Sequence, residues 1–309
     1  MIVRLTEFHH SLSVFQEQEG DVAAAADQLQ DVHVETFGSL SKRDKVEFIL
    51  EQMRLTLAKK DFIRAHIVAG KVSKKTLQEE TMEEYKVRFY ELMTIYHRHK
   101  QDALALAQDY HAIYSTASIQ TDAAKWQPAL KATIVFLALS PFGNEQQDMM
   151  NHIVADDASN LEEIPVFAKT LQLFLRKEII HYPMEGAAEL EGIEEFATDG
   201  LAAHWHETFH RRIIQHNIRI VAGYYRQIRL DRLAQLLQLD VARTELEISS
   251  LVSDGVLYAK IDRPASIVRF LAPTSPEAVL TSWAADIDKL LHLVETTSHL
   301  INKENMTAA

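Results

Sequence analysis

Residues Leu230–Leu271 read LDRLAQLLQLDVARTELEISSLVSDGVLYAKIDRPASIVRFL, and the order of elements written there sets the architecture of the C-terminal third. The pattern predicts a short helix over Leu230–Leu237, a turn at Leu239-Asp240 and a second helix over Val241–Ser253 that ends at Asp254-Gly255. Two short β-rich runs follow, Val256–Ile261 and Ser266–Leu271, joined through Asp262-Arg263-Pro264-Ala265, whose residue types suit a turn. Helix, turn, helix and a two-stranded wing make a winged helix. The strand carrying Ile267, Val268, Arg269 and Phe270 is expected to offer an edge to a partner strand. Nucleic acid suits this module poorly. From Asp240 to Asp254 it carries Asp240, Glu245, Glu247 and Asp254 against Arg243 alone, so the helix that would enter a groove repels phosphate.

Downstream, Ser275-Pro276-Glu277 opens a long helix, with Ser as a natural N-cap and Pro fitting the first turn. Leu280, Ile287, Val294 and Ile301 recur every seventh residue, and Trp283, Leu290 and Thr297 fill the alternate heptad position. An isolated helix cannot bury such a seam by itself, so helices of partners are expected to cover it.

Upstream, a helix is expected over roughly Trp205–Tyr225. Before it, residues 181–203 are acidic and lose a clear period, with Glu185, Glu189, Glu191, Glu194, Glu195 and Asp199 and no Lys or Arg, which reads as an exposed connector. The basic residues Arg211, Arg212, Arg219, Arg226, Arg229 and Arg232 read as a solvated face pairing with the acidic excess. Lys125–Leu139 is a strongly apolar helix that stops at Ser140-Pro141, followed by helices near Gln146–Val154 and Pro165–Ile179. From Leu5 to about Tyr114 amphipathic helices alternate with short polar breaks. One helix ends near Glu19, before Gly20-Asp21; the next carries Val22, Ala25, Ala26 and Leu29, small enough for close approach of a neighbour. Val46, Ile49, Leu50, Met53 and Leu57 mark one face of the following helix, Lys59-Lys60-Asp61 breaks it, and Phe62, Ala65, His66 and Ala69 begin another before Gly70. Units of about 35 to 40 residues per helix pair suit a tetratricopeptide-like solenoid.

Composition agrees with a mainly α chain: 309 residues, 47% hydrophobic, with only nine Gly and seven Pro. The 32 Lys and Arg against 44 Asp and Glu give a net charge of −12, which argues against a general nucleic-acid binder. No cysteine is present, so disulfides and thiolate zinc sites are excluded and a reducing compartment is suited. No run approaches the eighteen or so apolar residues of a membrane span, and the first residues lack the apolar core of a signal peptide, so cytoplasm and nucleus are the expected locations.

One segment imitates an enzyme. His206-Glu207-Thr208-Phe209-His210 matches H-E-x-x-H, in which two His one turn apart bind zinc and the Glu activates water, and His216 extends it toward a three-His pattern. That longer pattern needs Gly where this chain has Ile213. If the helix continues, His216 lies about 80° around the axis and about 15 Å along it from His206, beyond the reach of one ion. A zinc hydrolase using His206, Glu207 and His210 is therefore the minor alternative; it predicts bound zinc and activity lost on Glu207→Gln. No phosphate-cradling glycine loop or nucleophile elbow occurs, and Lys71, Lys74 and Lys75, followed by Glu79, Glu80, Glu83 and Glu84, read as ordinary charged surface.

Several segments resemble the PCI proteins, which include subunits of the lid of the 26S proteasome regulatory particle, of the COP9 signalosome and of a translation initiation factor; the likeness is closest to the proteasome-lid branch. It is carried by Val34-Glu35-Thr36 with Gly38-Ser39-Leu40, KVEFILEQMRLTLAKKD (Lys45–Asp61), KWQPALK and SPFGNEQ (from Lys125 and Ser140), HNIRIVAGYY (His216–Tyr225), RLAQLLQL (Arg232–Leu239) and WAADIDKLLHLVETTSHLINKE (Trp283–Glu304). The resemblance implies helical repeats over residues 1–120, a PCI domain over 121–272 with a helical part (121–228) and a winged helix (229–272), and a C-terminal bundle helix and tail over 273–309. It implies a scaffold with no catalytic residue, cofactor or metal, held among other PCI subunits and the deubiquitinating metalloprotease subunits of the lid, with no nucleic-acid or membrane partner; the paralogous signalosome subunit is the near alternative. Interface residues are expected at Leu280, Trp283, Ile287, Leu290, Val294 and Ile301 and at Ile267–Phe270. The family's chains begin well before the position of Met1, so several N-terminal repeats are expected to be missing here, and residues 181–203 depart from the family pattern.

Overall fold

A computed structural model describes residues 21–30, 32, 41–184, 186–193, 200–271 and 275–307. The helix expected before Gly20, the segments Val34–Thr36 and Gly38–Leu40, and Glu185, Glu194, Glu195 and Asp199 lie outside the described residues. The chain divides into two compact units, residues 1–220 and 221–309. It is mainly α, with one small sheet.

In the first unit the longer helices among the described residues are α1 (Val22–Gln30), α2 (Lys42–Ala58), α3 (Phe62–Ala69), α4 (Glu83–Lys100), α5 (Ala103–Tyr114), α6 (Ala123–Leu139), α7 (Asn144–Asp156), α8 (Pro165–Leu175) and α9 (Ala202–Tyr224), the last running on into the second unit. One capping device recurs. Ser41, Asp61, Asp102 and Asp122 precede α2, α3, α5 and α6, and each side chain accepts a hydrogen bond from a first-turn backbone N–H that no helical carbonyl can reach. At the breaks between α2 and α3 and between α4 and α5, Lys60 (φ 64) and Gln101 (φ 59) adopt left-handed conformations that turn the chain.

The face expected from sequence in α2, Val46, Ile49, Leu50, Met53 and Leu57, is buried in one cluster with Ala65, Val68 and Ala69 of α3 and Phe89, Leu92 and Met93 of α4. Ala25, Ala26 and Leu29 of α1 pack against Phe48 and Leu55 of α2. Gln52 Nε2 donates to the carbonyls of Leu29 (2.6 Å) and Val32 (3.0 Å), satisfying the orphan end of α1 from within α2. Each helix packs mainly on its sequence neighbours, a pattern that fits stacked helical repeats. The second core surrounds α6, which buries residues on every side, as expected of a helix apolar all round. Leu106 and Tyr114 of α5, Met150 and Ile153 of α7, Phe167 and Leu171 of α8, and Trp205 and Phe209 of α9 all join it.

Two readings need correction here. Helix α8 stops at Leu175, where Arg176 turns extended (ψ 148), and does not continue to Ile179. Residues 181–203 are not simply an exposed connector: Met184 and Leu190 are buried, as is Ile180 just before them. A short helix, Ala187–Glu191, starts at Gly186 (φ 83), whose missing side chain leaves room for Val166; a Cβ there would stand 2.4 Å from that residue's Cγ1. The acidic residues mask three well-separated apolar anchors.

The second unit holds β1 (Gln227–Arg229), α10 (Leu230–Leu237), α11 (Val241–Ser253), β2 (Lys260–Asp262), β3 (Ile267–Arg269) and α12 (Pro276–Thr307). Both helices of the helix-turn-helix have the bounds read from sequence. Leu230, Leu233, Ala234 and Leu237 face the core with Ile248 and Leu251, and Gln238 (φ 56) ends α10. The strands are shorter than the β-rich runs and number three. β1, unseen in the sequence, pairs antiparallel with β3, and β3 pairs antiparallel with β2, placing Ile228, Val268 and Ile261 in register. The expected edge strand, Ile267, Val268, Arg269 and Phe270, is therefore the centre of the sheet, order β1-β3-β2. Its backbone groups are taken up by neighbours on both sides, and Val268 and Phe270 are core residues. The sheet's outer strands are β1 and β2. Among the described residues no helix is long and apolar enough to cross a membrane.

Because Leu130 is fully buried on α6, Leu130→Ala is expected to cost about 2–5 kcal/mol in urea denaturation. Leu246→Ala, on the exposed face of α11, is expected to change stability by about 0.5 kcal/mol or less.

Candidate protein interface

The His motif lies on α9, where its period is set by packing. Trp205 and Phe209 are buried in the α6 core, and His206, Glu207 and His210 flank them toward the surface, with Glu207 exposed. The His210 ring rests 4.4 Å, centroid to centroid, from Tyr182. His216 is buried one face away. Its Nε2 lies 3.1 Å from the Glu178 carbonyl, and its Nδ1 lies 3.1 Å from the Arg219 guanidinium. Arginine can only donate, so Nδ1 accepts and Nε2 carries the proton that it gives to Glu178. Burial, reinforced by the Arg219 cation, pushes the His216 pKa down to about 4, so this neutral tautomer holds at neutral pH. Among the described residues no three His, Asp or Glu side chains are placed to share a metal ion.

What α9 does with its polar residues is mechanical. Asn217 exchanges two 2.8 Å hydrogen bonds with the backbone of Ile180, as a strand neighbour would. Arg212 Nε donates to the Leu139 carbonyl (2.9 Å), closing the end of α6, and its Nη1 donates to Gln215 (2.6 Å). The Arg219 guanidinium stacks 3.4 Å from the Phe142 ring centroid. Arg212 and Arg219 are thus not part of a solvated face; they and His216 and Asn217 latch the segments after α6 and α8 onto α9. Composition could not single these residues out, because their partners are a ring and main-chain carbonyls distant in sequence.

The second unit carries the surface features. Helix α12 is capped as expected, Ser275 Oγ accepting from the Ala278 N–H at 3.1 Å. Leu280, Trp283, Ile287, Leu290, Val294 and Ile301 are 42–65% exposed, and Leu291, Leu293 and Leu300 widen the apolar strip. Exposed apolar surface of this extent is uncommon on soluble proteins that act alone. In the wing, Val268 and Phe270 are buried, Ile267 is half-buried and Arg269 is exposed, so of the residues expected to meet a partner there Arg269 is the one on the surface.

A helical unit followed by a winged helix and a long unpartnered helix defines the class: this is a PCI-domain protein. Residues 191–271 match the PCI domain, residues 4–122 match the family described as PSMD12/CSN4, N-terminal, and residues 277–309 match the 26S proteasome regulatory subunit RPN5 C-terminal domain. The chain is 37% identical over 295 residues to the 26S proteasome regulatory subunit RPN5 of Saccharomyces cerevisiae, covering 94% of this chain and 66% of that protein. It is 38% identical over 306 residues to the 26S proteasome non-ATPase regulatory subunit 12 of Dictyostelium discoideum, covering 98% and 67%. The chain belongs to the family of these proteasome regulatory subunits. The COP9 signalosome complex subunit 4 of Drosophila melanogaster is more distant, 21% identical over 82% of this chain. The chain spans about two thirds of the length of the proteasome relatives named above.

The buried His216 gives the latch a pH signature. Its pKa is about 4 folded against roughly 6.5 unfolded, so its contribution is fully present above about pH 6.5 and is lost as pH falls toward 4. Equilibrium denaturation is expected to show a decline on the order of 3 kcal/mol across that window, and His216→Gln to flatten it. Asn217→Ala, which strands the Ile180 backbone, is expected to cost about 1–3 kcal/mol by the same measurement.

Proposed function

We propose that this chain is a non-catalytic scaffold subunit of the proteasome regulatory-particle lid, supporting ATP-dependent degradation of ubiquitinated proteins by holding other subunits in place. The observation that carries it is the apolar strip of α12, exposed along the helix. Fully burying each Leu, Ile or Val contributes about 1.5–3 kcal/mol, so partner helices on this strip would supply a large association energy with no chemistry needed. The names of the relatives, regulatory and non-ATPase subunits of the 26S proteasome, favour the same role. The partners are other PCI subunits of the lid and its deubiquitinating metalloprotease subunits, and the working locations are cytoplasm and nucleus. Membership in a COP9 signalosome is the second reading, favoured by the distant likeness to its subunit 4 and by the N-terminal family described as PSMD12/CSN4.

The test is affinity purification of the tagged full chain from its native cells, with mass spectrometry of what accompanies it. Proteasome regulatory subunits are expected, and are expected to be lost from a Leu280→Asp/Leu290→Asp variant, since each Asp places a charge where a helix must pack. Signalosome subunits in their place would move the chain to that complex; a chain recovered alone with stoichiometric zinc would revive the hydrolase built on His206, Glu207 and His210.

A further inference from the structure

The wing sheet has one face in the core and one in water. Its alternation puts Ile228, Val268 and Ile261 inward, and outward the cross-strand rows Gln227–Arg269–Lys260 and Arg229–Ile267–Asp262. In the first row Lys260 stands directly opposite Arg269. Two like charges in that relation have side-chain origins about 5 Å apart and destabilise the pair. Among the described residues neither Lys260, Arg269 nor Arg229 makes an ion pair or a side-chain hydrogen bond, so no direct contact relieves the pair. The one outward carboxylate, Asp262, is occupied by the turn, accepting from the Ala265 N–H.

Beside this row lies an open groove of about 550 Å³ between α11 and the hairpin, lined by Glu245, Ser249, Lys260, Arg263 and Arg269 among others. Its α11 carboxylate, Glu245, is already paired with Arg263. The charges left on the lining are Lys260, Arg269 and the turn carboxylate Asp262, a net positive set. In a chain of net charge −12, two cations opposed across a strand pair with one nearby carboxylate between them, beside a groove and the outer edge of β2, form a local positive excess that an external anion would relieve.

We infer that the outward face of the wing at Lys260 and Arg269 is a docking surface for an acidic segment of a partner protein, one of whose carboxylates sits between the two cations. An extended segment lying along β2 repeats its side chains every second residue, which matches the spacing of the outward rows. Nucleic acid is the poorer occupant. The cations are few, and Glu245 and Asp262 line the same groove with Asp254 at the end of α11, so a continuous phosphate backbone would be repelled where a single carboxylate is not. The inference deepens the scaffold reading and rests on it for the idea that the chain works through protein contacts.

The test uses the full chain and a fluorescein-labelled peptide alternating glutamate with valine, read by fluorescence anisotropy at low and high salt, beside the same peptide with glutamine for glutamate and a random-sequence DNA duplex. The glutamate peptide is expected to bind in a salt-sensitive way and the glutamine peptide to bind much more weakly. Lys260→Glu should weaken glutamate-peptide binding about tenfold. The same substitution should raise the urea midpoint, because it turns a like-charge cross-strand pair into an opposite one. Arg269→Gln should weaken binding without introducing a new charge. Peptide affinity indifferent to both substitutions, a Lys260→Glu chain with a lowered midpoint, or a duplex bound more tightly than the peptide would each overturn the inference. If affinity is indifferent while the tagged chain still brings down proteasome regulatory subunits, the docking surface falls and the scaffold stands. Charge-dependent peptide binding by a chain that brings down none of them gives the reverse.

Discussion

Burial of α6 on all its sides is the constraint on which the rest of the first unit depends. A helix that is apolar all round cannot lie at a surface, so neighbours must cover each face, and α5, α7, α8 and α9 do so. Phe136 shows how closely the cover fits: Tyr110 of α5 stacks on it and Trp205 of α9 meets it edge to face, each with ring centroids 5.6 Å apart. With those positions filled, the polar ends become the difficulty, because a buried terminus leaves carbonyls that water cannot reach. Ser140 and Gln146 answer part of this, Gln146 Nε2 donating to Leu137 at 2.8 Å, and Arg212 reaches across from α9 to close Leu139. The polar residues of α9 are thus a consequence of the apolar character of α6.

That relation also accounts for the spacing of the His motif. An amphipathic helix repeats its surface positions at three and four residues, the same spacing that lets two His share a metal. His206 and His210 acquire this spacing from the burial of Trp205 and Phe209 beside them. The third His sits in a dry environment, held neutral between a cation and a carbonyl. A ligand pair with no converging third donor among the described residues is what helical periodicity produces in a chain with 15 His.

How much was legible in the sequence follows from which interactions are local. Caps, left-handed breaks and the 3.6-residue period are written within a few residues, so α2, α3, α6 and both helices of the winged helix could be placed closely. The anchoring of Ile180 depends on Asn217, 37 residues away in the chain, and no local pattern announces that. β1 is three residues long and exists because β3 has an open side; its place reverses the reading of Ile267–Phe270 from edge to centre. The heptad of α12 was legible because a seam is a repeat. The cation row across the wing was not, because Lys260 and Arg269 become neighbours only once the hairpin register is known.

The two units use polar and apolar groups in opposite ways, and the contrast bears on function. Inside the first unit, polar side chains find partners within the chain: Gln52 on α1, Asn217 on Ile180, Tyr114 on Asp157 and Asn160. In the second, an apolar strip on α12 faces water and a like-charge pair on the wing lacks a directly bonded anion. Neither feature favours the chain by itself: exposed leucines invite aggregation, and opposed cations weaken a three-residue strand pairing. Both become favourable when another protein supplies the missing half, a hydrophobic helix in one case and a carboxylate in the other. They also differ in kind. Apolar burial is non-directional and supplies association energy, whereas charge pairing selects among partners and fixes register. A subunit held by its terminal helix and oriented by its wing would need both, with strength and selectivity placed on separate surfaces.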